Sequence, residues 1–339
     1  MFKKIAALGA AAALCVGLMS GCGAASTTAT NGYSAENPLV LTLAHGLSET
    51  HTVHIAMTQF AEEVNEKTDG RIQVKIFPNG QLGSENENLE QLQAGVIAMT
   101  KVSAPGLATY NEAFNAFGLP YIFNDTADFY NVMDSQEMQD FFLSTGDDGF
   151  VTLTYYTSGA RSFYTKDKAI RTPADLKGLK IRVPGTAADA FFSALGASTM
   201  SMPFSEVYSN LDSGMIEAAE AALGGLYDYA LHEVAKYVFL SEHSLAPACV
   251  AISSSVWNEL TPENQKILKD ALVKYGDIYT QKCLDLNDEY RAKMEEAGVT
   301  FVEPSAEDIE AMKAAGAASF AAFPELSDGL AEKLAAAIS

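Results

Sequence analysis

Residues 39–102 read LVLTLAHGLSETHTVHIAMTQFAEEVNEKTDGRIQVKIFPNGQLGSENENLEQLQAGVIAMTKV, and the changing hydrophobic period along them sets the architecture. Leu39 to Ala44 is a short, nearly unbroken apolar run, as expected of a strand covered on both faces. From Thr52 to Val64 the period lengthens: Val53, Ala56, Met57, Phe60, Ala61 and Val64 fall at helical spacing, and the helix stops near Gly70. Arg71 to Phe77 alternates polar and apolar residues and ends at the turn Pro78-Asn79-Gly80. Ser84 to Ala94 is helical again, with Leu89 and Leu92 inward, and Val96 to Val102 is a further strand. Strand–helix–strand–helix–strand predicts a parallel sheet with right-handed crossovers.

A second unit follows downstream. Val151 to Tyr156, Ser162 to Thr165 and Lys180 to Val183 have strand character, and Thr172-Pro173 marks a helix start with a cap and an N1 proline. Helices are expected at Ala187 to Leu195, Ser205 to Asp212 and Leu223 to Val234, with strands at Tyr237 to Leu240 and Ala248 to Ser253. Thr261-Pro262 then opens a segment that keeps apolar residues three to four apart as far as Gly298, among them Leu268, Leu272, Tyr279, Cys283, Tyr290 and Met294. Such a helix is about 54 Å long, more than one small lobe is wide, so it is expected to lie across two. A last helix starts at Ser305, with Asp308 in the capping-box position.

The N-terminus reads as an export signal. Lys3 and Lys4 precede the apolar run Ile5 to Leu18, which is too short to span a bilayer but suits the core of a leader. Small residues then lead to Cys22, where a cleaved leader leaves a cysteine that acyl chains can modify; two chains give stable anchoring. Residues 1–21 are accordingly expected to be a signal peptide and residues 22–37 a lipidated flexible tether, too polar to build a core. Loss of Lys3 and Lys4 with the leader takes the net charge from −21 to −23. A surface so acidic excludes nucleic acid and argues against docking on anionic headgroups. The remaining cysteines, Cys249 and Cys283, are compatible with one disulfide or with two buried thiols.

The chemistry concentrates in Gly159 to Pro184, GARSFYTKDKAIRTPADLKGLKIRVP. In Lys180-Ile181-Arg182-Val183 the pleat sends Ile181 and Val183 to one face and Lys180 and Arg182 to the other. Arg182 thus stands at the carboxyl end of a strand, where open α/β sheets bind ligands, and Arg161 begins a neighbouring strand. An arginine fork suits a carboxylate, and the pairing is strong where water is excluded; each arginine alone also fits a structural ion pair. The loop from Ala44 to His51 joins a strand to a helix and can meet a ligand, which makes His45, Ser48 and Glu49 candidates. Glu85 and Ser103 stand at equivalent corners. No H-E-x-x-H accompanies His45, His51 and His54, and no G-x-S-x-G elbow is present, so neither a metal centre nor a catalytic apparatus is expected, and no cofactor.

Five stretches in order, FPNGQLGSENENLEQLQAG (77–95), GARSFY (159–164), PADLKGLKIRVP (173–184), GASTMSMPFSEVYSNLDSGMIEAAE (196–220) and EVAKYVFLSEHSLAP (233–247), resemble the solute-binding protein of a tripartite ATP-independent periplasmic (TRAP) transporter, DctP type. The similarity runs from about residue 39 to 320. It implies an α/β, two-domain periplasmic-binding-protein-like fold closing on a carboxylate, with a long helix spanning both domains. It further implies that Arg182 salt-bridges the ligand carboxylate, that Arg161 gives a second contact, and that Phe204 packs on the ligand. The family often carries an asparagine after the glutamate that is Glu220 here; this chain has Ala221, and Tyr227 or Tyr229 is a candidate replacement donor.

The domains expected on this basis are residues 38–160 plus about 248–285, and 161–247 plus about 286–339, hinged near residues 160 and 247. The expected role is a binding lipoprotein outside the cytoplasm, not an enzyme. It would capture a small organic acid for the small and large TRAP permease subunits, with a sensory ligand-binding module as the alternative.

Overall fold

The computed structural model describes residues 32–123 and 125–320; the leader, Cys22, most of the tether and residues 321–339 lie outside them. The opening alternation builds β1 (Leu39–Ala44), β2 (Ile72–Phe77) and β3 (Met99–Ser103), with β1 parallel to both others. The sheet is completed by β4 (Phe150–Tyr156) and by a strand from far downstream, Ala248–Ser253, numbered β10 below. The latter lies antiparallel between β3 and β4. The sheet is therefore mixed where a parallel one was expected, because the chain returns to it from the second lobe without a crossover helix.

The second sheet comprises β5 (Arg161–Thr165), β6 (Lys180–Val183), β7 (Ser198–Ser201), β8 (Ala218–Ala222), β9 (Tyr237–Ser244) and, after β10, β11 (Thr300–Val302). Its order is β11-β9-β5-β8-β6-β7. Neither β7 nor β8 is evident in the sequence. The latter reads AAEAA, a helix-prone string, yet all five residues are buried at the centre of the sheet, where packing overrides propensity. Two other boundaries move. The helix expected to reach Val234 stops at Asp228, and Ala230 takes φ 54°. The strand expected from Val96 begins at Met99, after Gly95 at φ +71°. Between 104 and 149, where the sequence suggested no elements, helices Thr126–Met133 and Gln136–Ser144 cover a core of Phe114, Phe117, Phe129 and Phe142.

One helix, Pro262–Glu296, ties the lobes together. It spans 35 residues and is capped by the Thr261 hydroxyl, which accepts from the Asn264 N–H at 3.2 Å. Leu268, Leu272, Tyr279 and Cys283 enter the core under the first sheet, whereas Tyr290 and Met294 enter the core under the second. Cys249 and Cys283 are buried free thiols.

Where this helix crosses β4 it carries Gly276. A Cβ there would lie 2.5 Å from Cε1 of the fully buried Tyr156 and 3.4 Å from the Tyr155 carbonyl. Glycine costs about 1 kcal/mol in helix propensity, but overpacking a rigid ring costs about 1–3 kcal/mol. Gly276→Ala should therefore lower stability by up to about 2 kcal/mol in urea unfolding, the cost of overpacking less the gain from propensity.

Candidate functional site

A cavity of about 320 Å³ lies between the lobes and takes its walls from both. Its floor is the end of β8. Antiparallel pairing sets Phe163 opposite Glu220 and Arg161 opposite Ala222, so Arg161 and Glu220 are diagonal neighbours on one face of the sheet. On the other side of β8, β6 pairs Ile181 with Ala218, which turns Arg182 one residue later to the opposite face, that of Ala219 and Ala221.

The two arginines are bound differently. Arg161 grips Glu220 with both arms of its fork, Nε to Oε2 and Nη2 to Oε1 at 2.6 Å, and Nη2 also donates to the Glu220 carbonyl at 3.1 Å. Arg182 donates from Nε to the Met202 carbonyl at 3.0 Å and places its guanidinium 5.4 Å from the Phe204 ring centroid. Its Nη1 is 3.7 Å from Glu220 Oε1, beyond hydrogen-bond distance. Among the described residues nothing else accepts from the terminal nitrogens of Arg182, so that half of its fork is left for a ligand.

His243 completes the cluster. Its Nε2 is 3.8 Å from Glu220 Oε2, its Nδ1 is 2.8 Å from the Ser241 hydroxyl, and its ring stacks on Phe163 with centroids 4.4 Å apart. Burial lowers its pKa to about 4, against the opposing pull of Glu220, so the imidazole is neutral. Burial pushes the Glu220 carboxyl up, but the charge and hydrogen bonds of Arg161 outweigh this and hold it below the usual carboxylate range. Two guanidiniums and one carboxylate leave a net charge of about +1 in a buried site, an arrangement that favours an anion.

The rest of the wall carries acceptors, from both lobes. Glu85 Oε1 accepts from the Ser103 N–H at 2.8 Å and from its hydroxyl at 2.5 Å, and Lys101 Nζ stands 3.9 Å from Oε2. Asp228 Oδ2 lies 3.4 Å from His51 Nε2, and Tyr229 meets Phe204 edge-on at 4.8 Å. No cluster of three or more His, Cys, Asp or Glu side chains able to hold a metal occurs among the described residues.

Comparison with known proteins decides what such a cavity belongs to. Residues 43–325 match the family model of the bacterial extracellular solute-binding proteins, family 7, DctP. The chain belongs to this family. It is 30% identical over 256 residues to the 2,3-diketo-L-gulonate-binding periplasmic protein YiaO of Escherichia coli (strain K12), covering 75% of this chain and 78% of that protein. Its fold matches the TRAP periplasmic solute-binding protein of Anaerococcus prevotii solved with bound D-glucuronate, at 31% identity and TM-score 0.83, over 88% of this chain and 97% of that one. That of Sulfitobacter sp. NAS-14.1 with bound β-D-galacturonate is 30% identical with TM-score 0.82, over 87% and 99%. The chain is thus a solute-binding protein of the TRAP type, acting outside the cytoplasm with a membrane permease. Among the described residues no helix is long and apolar enough to cross a membrane.

In this solute-binding protein Arg161, Arg182, Phe204, Glu85, Ser103 and Ala221 all line the cavity. His45, Ser48, Glu49 and Tyr227 are not part of its wall. His45 is fully buried as a structural residue: Nδ1 accepts from the Leu47 N–H at 3.1 Å and Nε2 meets His54 at 3.2 Å. Ser48 pairs with the Thr50 hydroxyl at 3.1 Å, and Glu49 is exposed. Tyr227 stacks against His232 and Tyr290, at 5.0 and 4.7 Å. The same two segments reach the cavity through Leu47, His51, Asp228 and Tyr229 instead. Glu220, Lys101 and His243 were not anticipated as site residues. The signals for Glu220 were a lone acid inside an alanine string and its place as the glutamate of the family motif.

Because the free His243 imidazole takes up its proton near 6.5 and the buried one near 4, only the unfolded chain gains a proton in between. Stability is therefore expected to fall as pH drops from about 6.5 to about 4. His243→Gln should make that slope roughly 1 kcal/mol per pH unit shallower in denaturant titrations at pH 5 and 6; an unchanged slope would place the proton uptake elsewhere.

Proposed function

We propose that this solute-binding protein captures a hydroxylated monocarboxylic acid of the hexuronate class, with the terminal nitrogens of Arg182 holding the carboxylate. The unfilled half of the Arg182 fork, in a cluster of net positive charge, is the observation that carries this reading. Arg161 orients and charge-balances Glu220 beside it, and Phe204 supplies an apolar face under the guanidinium. The remaining wall supports a polyol over a second acid group. Glu85 and Asp228 offer acceptors to hydroxyls, while Lys101, 3.9 Å from Glu85, would have to be drawn from it to serve a second carboxylate. Relatives solved with D-glucuronate and β-D-galacturonate support the same class.

In this proposal the lobes turn about the crossings between β4 and β5 and between β9 and β10, and the ligand favours closure by contacting both. The protein binds without turnover, and lipidation of Cys22 keeps it at the membrane beside its permease. Calorimetry should give a complex with D-glucuronate or D-galacturonate and much weaker binding of succinate. Arg182→Ala and Arg182→Lys should each raise Kd by roughly 30-fold or more, since the fork is lost in both; unchanged affinity in Arg182→Ala would overturn the assignment, and chemical conversion of the bound acid would overturn the binder role. Cys22→Ser should move the exported protein from the detergent phase to the aqueous phase in a detergent partition, and retention in the detergent phase would remove the lipid anchor.

A further inference from the structure

We propose that His51 and Asp228 form the closing latch of the cleft: a polar contact between the lobes, 3.4 Å long here, that tightens to a hydrogen bond when they shut and sets how long the closed state lasts. His51 caps the helix Thr52–Lys67 of the first lobe, whereas Asp228 ends the helix Leu223–Asp228 that follows β8 in the second. Their side chains meet at 3.4 Å, and both line the cavity. Other bonds cross between the lobes, from the Thr186 hydroxyl to Asn115 Oδ1 at 3.2 Å, from the Tyr121 N–H to the His243 carbonyl at 2.8 Å and from the Tyr121 hydroxyl to the Ser241 carbonyl at 2.8 Å, but none of them joins two cavity residues.

The protonation of the latch follows from its geometry. His51 Nδ1 accepts from the Val53 N–H at 3.1 Å as the helix cap, so a neutral ring carries its proton on Nε2, the atom that faces Asp228. The donor is thus aimed across the cleft before the lobes meet. Asp228 has no lysine or arginine within 4.0 Å among the described residues; its other partner is the Tyr290 hydroxyl on the long helix. A carboxylate so placed exchanges water for the His51 N–H on closing and regains water on opening, which ties its solvation to the lobe movement.

The latch is also packed against the carboxylate clamp. The His51 ring is edge-on to Tyr229 with centroids 6.0 Å apart, Tyr229 is edge-on to Phe204 at 4.8 Å, and Phe204 lies 5.4 Å beneath Arg182. A ligand held by Arg182 braces this row of rings and with it the segment that carries Asp228. The latch residues act on the lifetime of the complex through each other and do not need to touch the carboxylate.

The test is single-molecule energy transfer between dyes on exposed positions of the two lobes, Glu137→Cys and Ala174→Cys, in the mature protein with and without D-glucuronate. The latch rests on the sugar-acid reading only for that probe. Asp228→Ala should shorten the closed dwell time roughly tenfold, with and without ligand, while the closing rate changes less than about twofold. Asp228→Asn, which keeps an acceptor oxygen, should restore the dwell time to within about threefold of wild type. His51→Asn keeps a helix cap but withdraws the Nε2 donor, so it should match Asp228→Ala, and the double variant should be no worse than either. Closed dwell times equal to wild type in Asp228→Ala, or additive losses in the double variant, would overturn the latch. If D-glucuronate fails to bind, the sugar-acid reading falls while the ligand-free dwell times still decide the latch.

Discussion

Two guanidinium groups share one carboxylate inside the protein, and the rest of the site depends on that imbalance. Glu220 is 2% exposed and Arg182 5%, so neither can be neutralised by bulk water. Had the site held one arginine, Glu220 would have completed an inert ion pair. Had a second acid stood against Arg182, no charge would remain there for a ligand. With Arg161 committed to Glu220 through both arms, the charge deficit falls on Arg182, whose outer nitrogens have no acceptor within hydrogen-bond distance among the described residues. The neutral His243 contributes by filling space beside Glu220 without adding to the positive charge, which its stacking on Phe163 and its burial both enforce.

The fold exists to bring that cluster against a second surface. β5, β6 and β8 supply the three charged side chains from one sheet, so their mutual geometry is set by strand register and cannot drift independently. The acceptors come instead from the helix-start corners and turns of both lobes, whose positions depend on how the lobes sit together. The long helix couples the two parts: its first half is embedded in one core and its last turns in the other, and Tyr290 on it reaches Asp228 at the cavity.

Much of this was legible in the sequence wherever a single period operated. The strand–helix alternation of residues 39–102, the strand Lys180–Val183 with Arg182 turned from Ile181 and Val183, and the long helix from Thr261 all carry their pattern locally, and the structure has them at those places. What was not legible depended on contacts remote in sequence. Ala218–Ala222 looks helical because alanine is, and only the flanking strands β5 and β6 make it a strand. Tyr227 and Tyr229 are indistinguishable by composition, and the early end of their helix at Asp228 turns one toward Tyr290 and the other into the cavity. His45 and His51 likewise differ only in which backbone N–H each imidazole caps: Leu47 for a buried ring, Val53 for one at the cleft.

Ala221 shows how one small side chain fits this plan. It sits on the Arg182 face of β8 and lines the cavity. Its methyl is close to Gly225, since a Cβ on that glycine would lie 3.6 Å from Ala221 and 3.8 Å from the tip of Phe204. Two small residues thus leave the room in which the Phe204 ring lies under Arg182 and against Tyr229. An amide at 221 would add one hydrogen bond at the charged end of the cavity, whereas alanine keeps that end for charge alone. In the proposed complex, hydrogen bonding to hydroxyl groups falls to Glu85 on the first lobe and Asp228 on the second, and a hydroxyl engaged by Glu85 while Arg182 holds the carboxylate draws the two lobes together.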